Sequence, residues 1–118
     1  TKDEQCILNE DKTQMNRLFT NLIKNAIEAS SSNAMIEIFI SLECAAGEAL
    51  VAIEDKGAGI SQGMQPKIFT PNFTTKSSGT GLGLAICKGI VENAGGKIWF
   101  QTEENKGTTF FVSLPLSV

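Results

Sequence analysis

Histidine is absent from this 118-residue chain. That removes imidazole acid–base catalysis, Ser-His-Asp and Cys-His nucleophile systems, and zinc sites that need an imidazole ligand. Cysteine is sparse: Cys6, Cys44 and Cys87 lie far apart, are odd in number and show no CxxC spacing. They read as free structural thiols in a reducing, cytosolic setting. Basic residues do not predominate, since 10 Lys+Arg stand against 13 Asp+Glu for a formal net charge of -3. A general basic surface for nucleic acid is thereby excluded, because phosphate neutralisation needs clustered cations. No apolar run approaches the ~18 residues of a membrane span, and the polar start Thr1-Lys2-Asp3-Glu4-Gln5 is no signal segment. Without an initiator Met, the chain is expected to be one domain, residues 1–118, of a longer protein.

A hydrophobic fraction of 42% with 19% charged residues is that of a folded domain. Gln5 to Leu8 is a short strand candidate. Met15, Leu18, Phe19, Leu22, Ile23, Ala26 and Ile27 recur at steps of three and four, which predicts an amphipathic helix over Lys12 to Ala29. Alternation of Ile36, Ile38, Ile40 and Leu42 predicts a strand over 35–42, turned by 43–48 into a second strand, Ala49 to Asp55. Leu84, Cys87, Ile90, Val91 and Ala94 mark another helix, stopped by Gly95-Gly96. Two final strands, Lys97 to Thr102 and Thr108 to Leu114, flank the polar turn Glu103 to Gly107. Hairpins with helices between them predict an α+β two-layer sandwich.

Nine of the eleven glycines fall between Gly57 and Gly96, so the backbone there has special work to do. On the first helix Arg17, Asn21, Asn25 and Glu28 form one polar stripe beside the apolar face. The stripe is either a solvated flank or a source of amide oxygens for a hard cation such as Mg2+. Asp55 is in phase with Val51 and Ile53, so its carboxylate starts on the core side, where it is costly without a hydrogen-bonding partner. A ligand donor such as the exocyclic amine of adenine would serve. Lys56-Gly57-Ala58-Gly59-Ile60 then fits either a turn or a flat ligand against the backbone.

Ser77 to Leu84 places Gly79, Gly81 and Gly83 at a helix start, where exposed N–H groups and the helix dipole favour phosphate. It matches neither a Walker A motif, nor the dinucleotide fingerprint, nor the protein-kinase glycine loop, which runs into a strand. The preceding loop, Phe69 to Lys76, is a surface turn or a lid carrying Lys76 to terminal phosphates. Thr108 is in phase with Phe110, Val112 and Leu114, so its hydroxyl starts on an apolar face and needs a partner.

The order of these segments is more specific than any one of them. Asn21 to Ala26, Asp55 to Ile60, Ile68 to Lys76 and Gly79 to Leu84 resemble the N, G1, F and G2 boxes of sensor histidine kinase catalytic domains. Their wider relatives are the gyrase/Hsp90/histidine kinase/MutL ATPases. The resemblance runs from Gln5 to Leu116 and implies a Bergerat-type ATP-binding fold, a mixed, mainly antiparallel sheet backed by helices, under a flexible ATP lid. It implies Asn25 as the Mg2+ ligand, and Asn21 as the first N-box position beside phosphates or metal water. It implies Asp55 on the adenine amine, Gly57 and Gly59 shaping the pocket, and Ile60 against the base. Lys76 with Gly79, Thr80, Gly81, Leu82 and Gly83 would meet the phosphates, and Thr108 would join the adenine–aspartate water network.

The function implied is binding of Mg-ATP and supply of its γ-phosphoryl group to a histidine on a separate dimerisation domain of the parent. A response regulator receiver domain would act downstream. Hydrolytic relatives carry Glu at the position of Asn21, and Asn is no general base, so intrinsic hydrolysis should be slow. Glu28 departs from the basic residue common in sensor kinases. The expected ligands are ATP, ADP and Mg2+, and the fragment is expected to be a monomer that does not autophosphorylate alone. The domain is expected in the cytoplasm, with a soluble or membrane-anchored parent. The alternatives are an anti-sigma-type serine kinase or Hsp90/MutL-like ATPase on the same fold, or a degenerate partner-binding domain.

Overall fold

The computed structural model of the chain describes residues 12–29, 37–70 and 83–115. Helix α1 (Lys12–Ala29) is followed by strands β1 (Ile38–Ala45) and β2 (Glu48–Asp55), helix α2 (Gly83–Asn93), and strands β3 (Lys97–Glu103) and β4 (Gly107–Pro115). A short 3-10 turn, Gln65–Lys67, lies between β2 and α2. The strands form one four-stranded sheet in the order β1-β2-β4-β3, and every described pair is antiparallel. Both helices cover one face, which gives the expected two-layer α+β sandwich. The strand expected at Gln5 to Leu8 lies outside the described residues.

Periodicity explains the core. Alternate residues of the central strands point at the helices, so Ile53 of β2 and Phe110, Val112 and Leu114 of β4 meet Leu18, Leu22 and Ala26 of α1 and Cys87, Ile90 and Val91 of α2. Burying a side chain such as Leu22 contributes ~1.5–3 kcal/mol. Ile68 is buried beside them, and Phe69 packs on Phe100 and Phe110 with ring centroids 6.0 and 6.3 Å away. That cluster fastens the chain after β2 to the sheet. One helix and one strand extend less far into the core than their phase implies. Ile27 remains 43% exposed, and Ile40 and Leu42 are more than half exposed because β1, paired among the described residues only with β2, is reached little by the helices.

Backbone chemistry ends the elements where the sequence says it should. Gly95 takes a φ of +84°, and the N–H of Gly96 donates to the carbonyl of Val91 at 2.9 Å, closing α2 with a Schellman motif. The β1–β2 hairpin is tighter than expected. Ala45 pairs directly with Glu48, leaving a two-residue turn in which Ala46 and Gly47 have φ of 55° and 78°. Such a turn follows the natural twist of the strands, but it holds Ala46 in a left-handed conformation.

The cysteines need a correction. Cys87 is a free, fully buried thiol as expected, whereas Cys44 is disulfide-bonded. Cross-linking requires closeness in the fold, and sequence spacing does not report it.

Candidate functional site

The inner face of the sheet changes character at one end. Three of its cross-strand rows are mainly apolar; the terminal row is Ile38, Asp55, Thr108 and Thr102, aligned across β1, β2, β4 and β3. Asp55 and Thr108 are 2% and 5% exposed. Both therefore take the core-side phase expected of them. A carboxylate there is tolerable only with hydrogen bonds, and its Oδ1 accepts the N–H of Gly57 at 2.8 Å.

Asp55 and Thr108 of this row floor a cleft of about 330 Å³. Asn25 and Ala29 of α1 line one side, and Glu104 and Asn105 of the β3–β4 turn line another. Ala58 to Ser61, Met64, Ile68 and Leu84 complete the wall. The size is in the range of small-molecule sites, and the mixture of apolar walls with a few convergent polar groups is characteristic of them.

Glycine makes the loop after β2 possible. The loop is squeezed between the end of α1 and the β3–β4 turn. A side chain at Gly57 would run into the carbonyl of Ala29, and one at Gly59, where φ is +75°, into the carbonyl of Glu103. Ala58 is tied on both sides: its N–H reaches the carbonyl of Ala29 at 3.4 Å, and its carbonyl accepts the N–H of Asn105 at 2.6 Å. Gly107 is equally constrained, since a Cβ there would strike the carbonyl of Asp55. The Ile60 N–H donates to Thr102 Oγ1 at 2.9 Å, which in turn lies 2.8 Å from Thr108 Oγ1. Loop, hairpin and polar row are thus one hydrogen-bonded unit.

The cleft gathers Asn25, Asp55, Gly59, Ile60 and Thr108 of the residues expected from the sequence. Gly57 is buried just behind it. Asn21 is half-buried one turn earlier on α1 and does not line the described cleft. Gly83 opens α2, next to the lining residue Leu84. Lys76, Gly79, Thr80, Gly81 and Leu82 lie outside the described residues. Glu28 is half-buried at the end of the α1 stripe and lines no part of the cleft. Sequence reasoning misses Thr102, Glu104 and Asn105. A signal for Thr102 does exist, because the two final strands joined by Glu103 to Gly107 set Thr102 opposite Thr108.

Residues 10–118 match the family model of the histidine kinase-, DNA gyrase B- and HSP90-like ATPases. The chain belongs to this ATPase family. Among its curated relatives, sporulation kinase C of Bacillus subtilis is 38% identical over 94% of this chain and 26% of its own length. Sensor histidine kinase ZraS of Escherichia coli is 41% identical over 92% of this chain and 23% of its own. The chain thus spans about a quarter of these kinases. The solved catalytic domain of histidine kinase ThkA is similar at a TM-score of 0.81 and 39% identity, covering 92% of this chain and 70% of that one. A mycobacterial sensor histidine kinase, MprB, is similar at 0.83 and 25% identity, covering 92% of this chain and 76% of that one. The four boxes therefore identify the family correctly, and the chain corresponds to the catalytic ATP-binding domain of sensor histidine kinases.

Within the ATPase family's frame the electrostatics of the cleft make sense. Its described lining holds two carboxylates, Asp55 and Glu104, and no cation. That end suits a neutral base with amine donors rather than phosphates. The N-terminus of α2 has no acidic residue in its first turn to repel an anion. Among the described residues no three Asp, Glu, Cys or His side chains gather as a metal cage. Asn25 at the cleft wall is a sparse donor set, which fits Mg2+ arriving largely coordinated by water and phosphate.

Proposed function

We propose that this domain binds Mg-ATP with the base on the Asp55–Thr108 floor, and donates the γ-phosphoryl group to a histidine on a separate helical domain of its parent. The buried Asp55 carboxylate at the end of β2 carries the reading. A charge is kept at such a position when it serves recognition, and the adenine amine is a donor of the right kind. Gly59 and Ile60 would face the plane of the base, and Leu84 and the α2 start would lie toward the phosphates. Asn25 would hold Mg2+, which when bound neutralises phosphate charge. Lys76 with Gly79, Thr80, Gly81, Leu82 and Gly83 would close over the phosphates, and Asn21 would position them or metal water.

Phosphoryl transfer depends mainly on positioning and on neutralising charge. Asn21 offers no general base, so this domain is expected to transfer to a placed acceptor far faster than to water. The acceptor histidine and its dimerisation helices, and a receiver domain downstream, belong to this proposal, as does a cytoplasmic location. Cysteine usage no longer supports that location; the need for cytoplasmic ATP does.

Calorimetric titration with ATP and ADP, with and without Mg2+, tests the reading. The carboxylate of Asp55 has two acceptor oxygens, and Oδ1 serves Gly57. Asparagine has one acceptor, so Asp55→Asn must leave either the Gly57 N–H or the base amine facing a donor. We expect the variant to bind at least tenfold more weakly, the equivalent of one hydrogen bond. Equal binding by both chains, or by neither, would remove the adenine site. Addition of the parent's histidine-bearing hairpin then separates the alternatives: acid-labile phosphate supports a histidine kinase, and acid-stable label or simple hydrolysis opposes it.

A further inference from the structure

We infer that Thr102, which does not itself line the cleft, sets the polarity of the Thr108 hydroxyl and so makes this site choose an amine-bearing base over an oxo-bearing one; the inference rests on the nucleotide reading above. Three polar groups meet at Thr102 Oγ1. It accepts the Ile60 N–H at 2.9 Å, lies 3.2 Å from the carbonyl of Gly107, and lies 2.8 Å from Thr108 Oγ1. A carbonyl only accepts, and Thr102 has a single hydroxyl hydrogen. If that hydrogen goes to Gly107, the contact with Thr108 requires Thr108 to donate. Thr102 and its three partners are then all satisfied, and Thr108 has its own hydrogen committed away from the cleft. If the hydrogen goes to Thr108 instead, the Gly107 carbonyl loses this bond. Within this set the first arrangement makes one more hydrogen bond, and it is the one we assign.

The consequence is chemical selectivity. Thr108, which lines the cleft, then presents lone pairs, and the neighbouring carboxylate of Asp55 is also an acceptor. Two acceptors side by side favour a base edge bearing an N–H2 group. They oppose an edge bearing C=O, whose oxygen would face lone pairs. Thr102 is accordingly a positioning residue: it fixes a hydroxyl rotor and, through Ile60, the loop above the base.

Adenosine and inosine diphosphates differ at this edge, an amine in one and an oxygen in the other, and are the probes. The original chain should bind ADP well over tenfold more tightly than IDP. In Thr102→Val the Thr108 hydroxyl loses its acceptor and becomes free to turn toward the cleft as a donor. We expect the ADP/IDP ratio to shrink about tenfold, through weaker ADP and stronger IDP binding. Thr102→Ser should restore the ratio. Thr102→Cys, with similar volume and a weak donor, should fall between, and it carries the test if the valine variant does not fold. A merely structural role would weaken both nucleotides alike and leave the ratio unmoved. An unchanged ratio in a chain that binds ADP overturns this inference alone. A chain that binds neither nucleotide overturns the proposed function and this inference with it.

Discussion

Two glycines with nearly the same φ offer a test of how the cleft is built. Gly47 has a φ of +78° with nothing within 4 Å of where a Cβ would stand, and Gly59 has a φ of +75° with the Glu103 carbonyl in the way. Alanine at either position must adopt the left-handed region, at ~1–2 kcal/mol. Gly47→Ala should lose that much and no more. Gly59→Ala bears the same strain and must also push the β3–β4 turn from the loop, threatening the 2.6 Å bond from the Asn105 N–H to the Ala58 carbonyl. Ala58 and Asn105 are both exposed, so breaking this bond adds ~0.5–1.5 kcal/mol. The expected total of about 1.5–3.5 kcal/mol is a substantial share of a domain stability of ~5–15 kcal/mol. Urea unfolding at 25 °C measures both variants on one scale, and their difference cancels the conformational strain. If Gly59→Ala falls within ~0.5 kcal/mol of Gly47→Ala, the loop and turn are not held in close approach, and the cleft wall described above is wrong. Nucleotide affinity supplies a second readout: Gly59→Ala should lose it and Gly47→Ala should keep it.

Other consequences are simpler. Ala46 occupies the first position of a turn that favours Asn-Gly, with a φ of 55°, so Ala46→Asn should raise stability by ~0.5–1 kcal/mol in the same urea assay. Burial pushes the Cys87 thiol up from 9.0 to about 12. The folded state therefore keeps a proton that the unfolded chain releases. Its contribution is intact below about pH 9 and is lost as the pH climbs toward 12, reaching at most about 4 kcal/mol. Cys87→Ala should remove that slope from the alkaline limb of a stability–pH profile, and native Cys87 should resist thiol reagents until the chain unfolds.

Much of the fold is legible in the sequence because burial imposes a period. The α1 face and the inward phase of Val51, Ile53 and Asp55 depend on residues a few positions apart, and both appear as expected, with Lys12–Ala29 matching at both ends. What the period does not contain is the neighbour. Ile40 and Leu42 alternate correctly yet remain exposed, since their burial depends on what lies beyond β1 rather than on β1 itself. Cys44 likewise takes its state from proximity in space. The β1–β2 turn is narrower than its sequence suggests because Ala46 is a poor marker of a left-handed position, although Gly47 beside it is a good one.

The site shows the same division. Asp55 and Thr108 announce themselves as polar residues in apolar phase, a conflict that only a partner can resolve. Thr102 is in phase with Ile98 and Phe100 on β3 and so raises the same conflict, more weakly because it is only half-buried. It stands at the end of β3 beside the turn, where threonine is common, and its importance comes from register: the strand pairing sets it beside Thr108, and the glycine loop brings the Ile60 N–H to the same oxygen. Glu104 and Asn105 enter the cleft for a similar reason, carried there by the turn that Gly59 allows to approach. A recognition surface of this kind is distributed between a residue that tolerates burial and a backbone that tolerates contact. Residue types reveal the first, and pairing reveals the second. The functional reading accordingly centres on Asp55, where sequence phase, burial and the Gly57 hydrogen bond converge on one carboxylate.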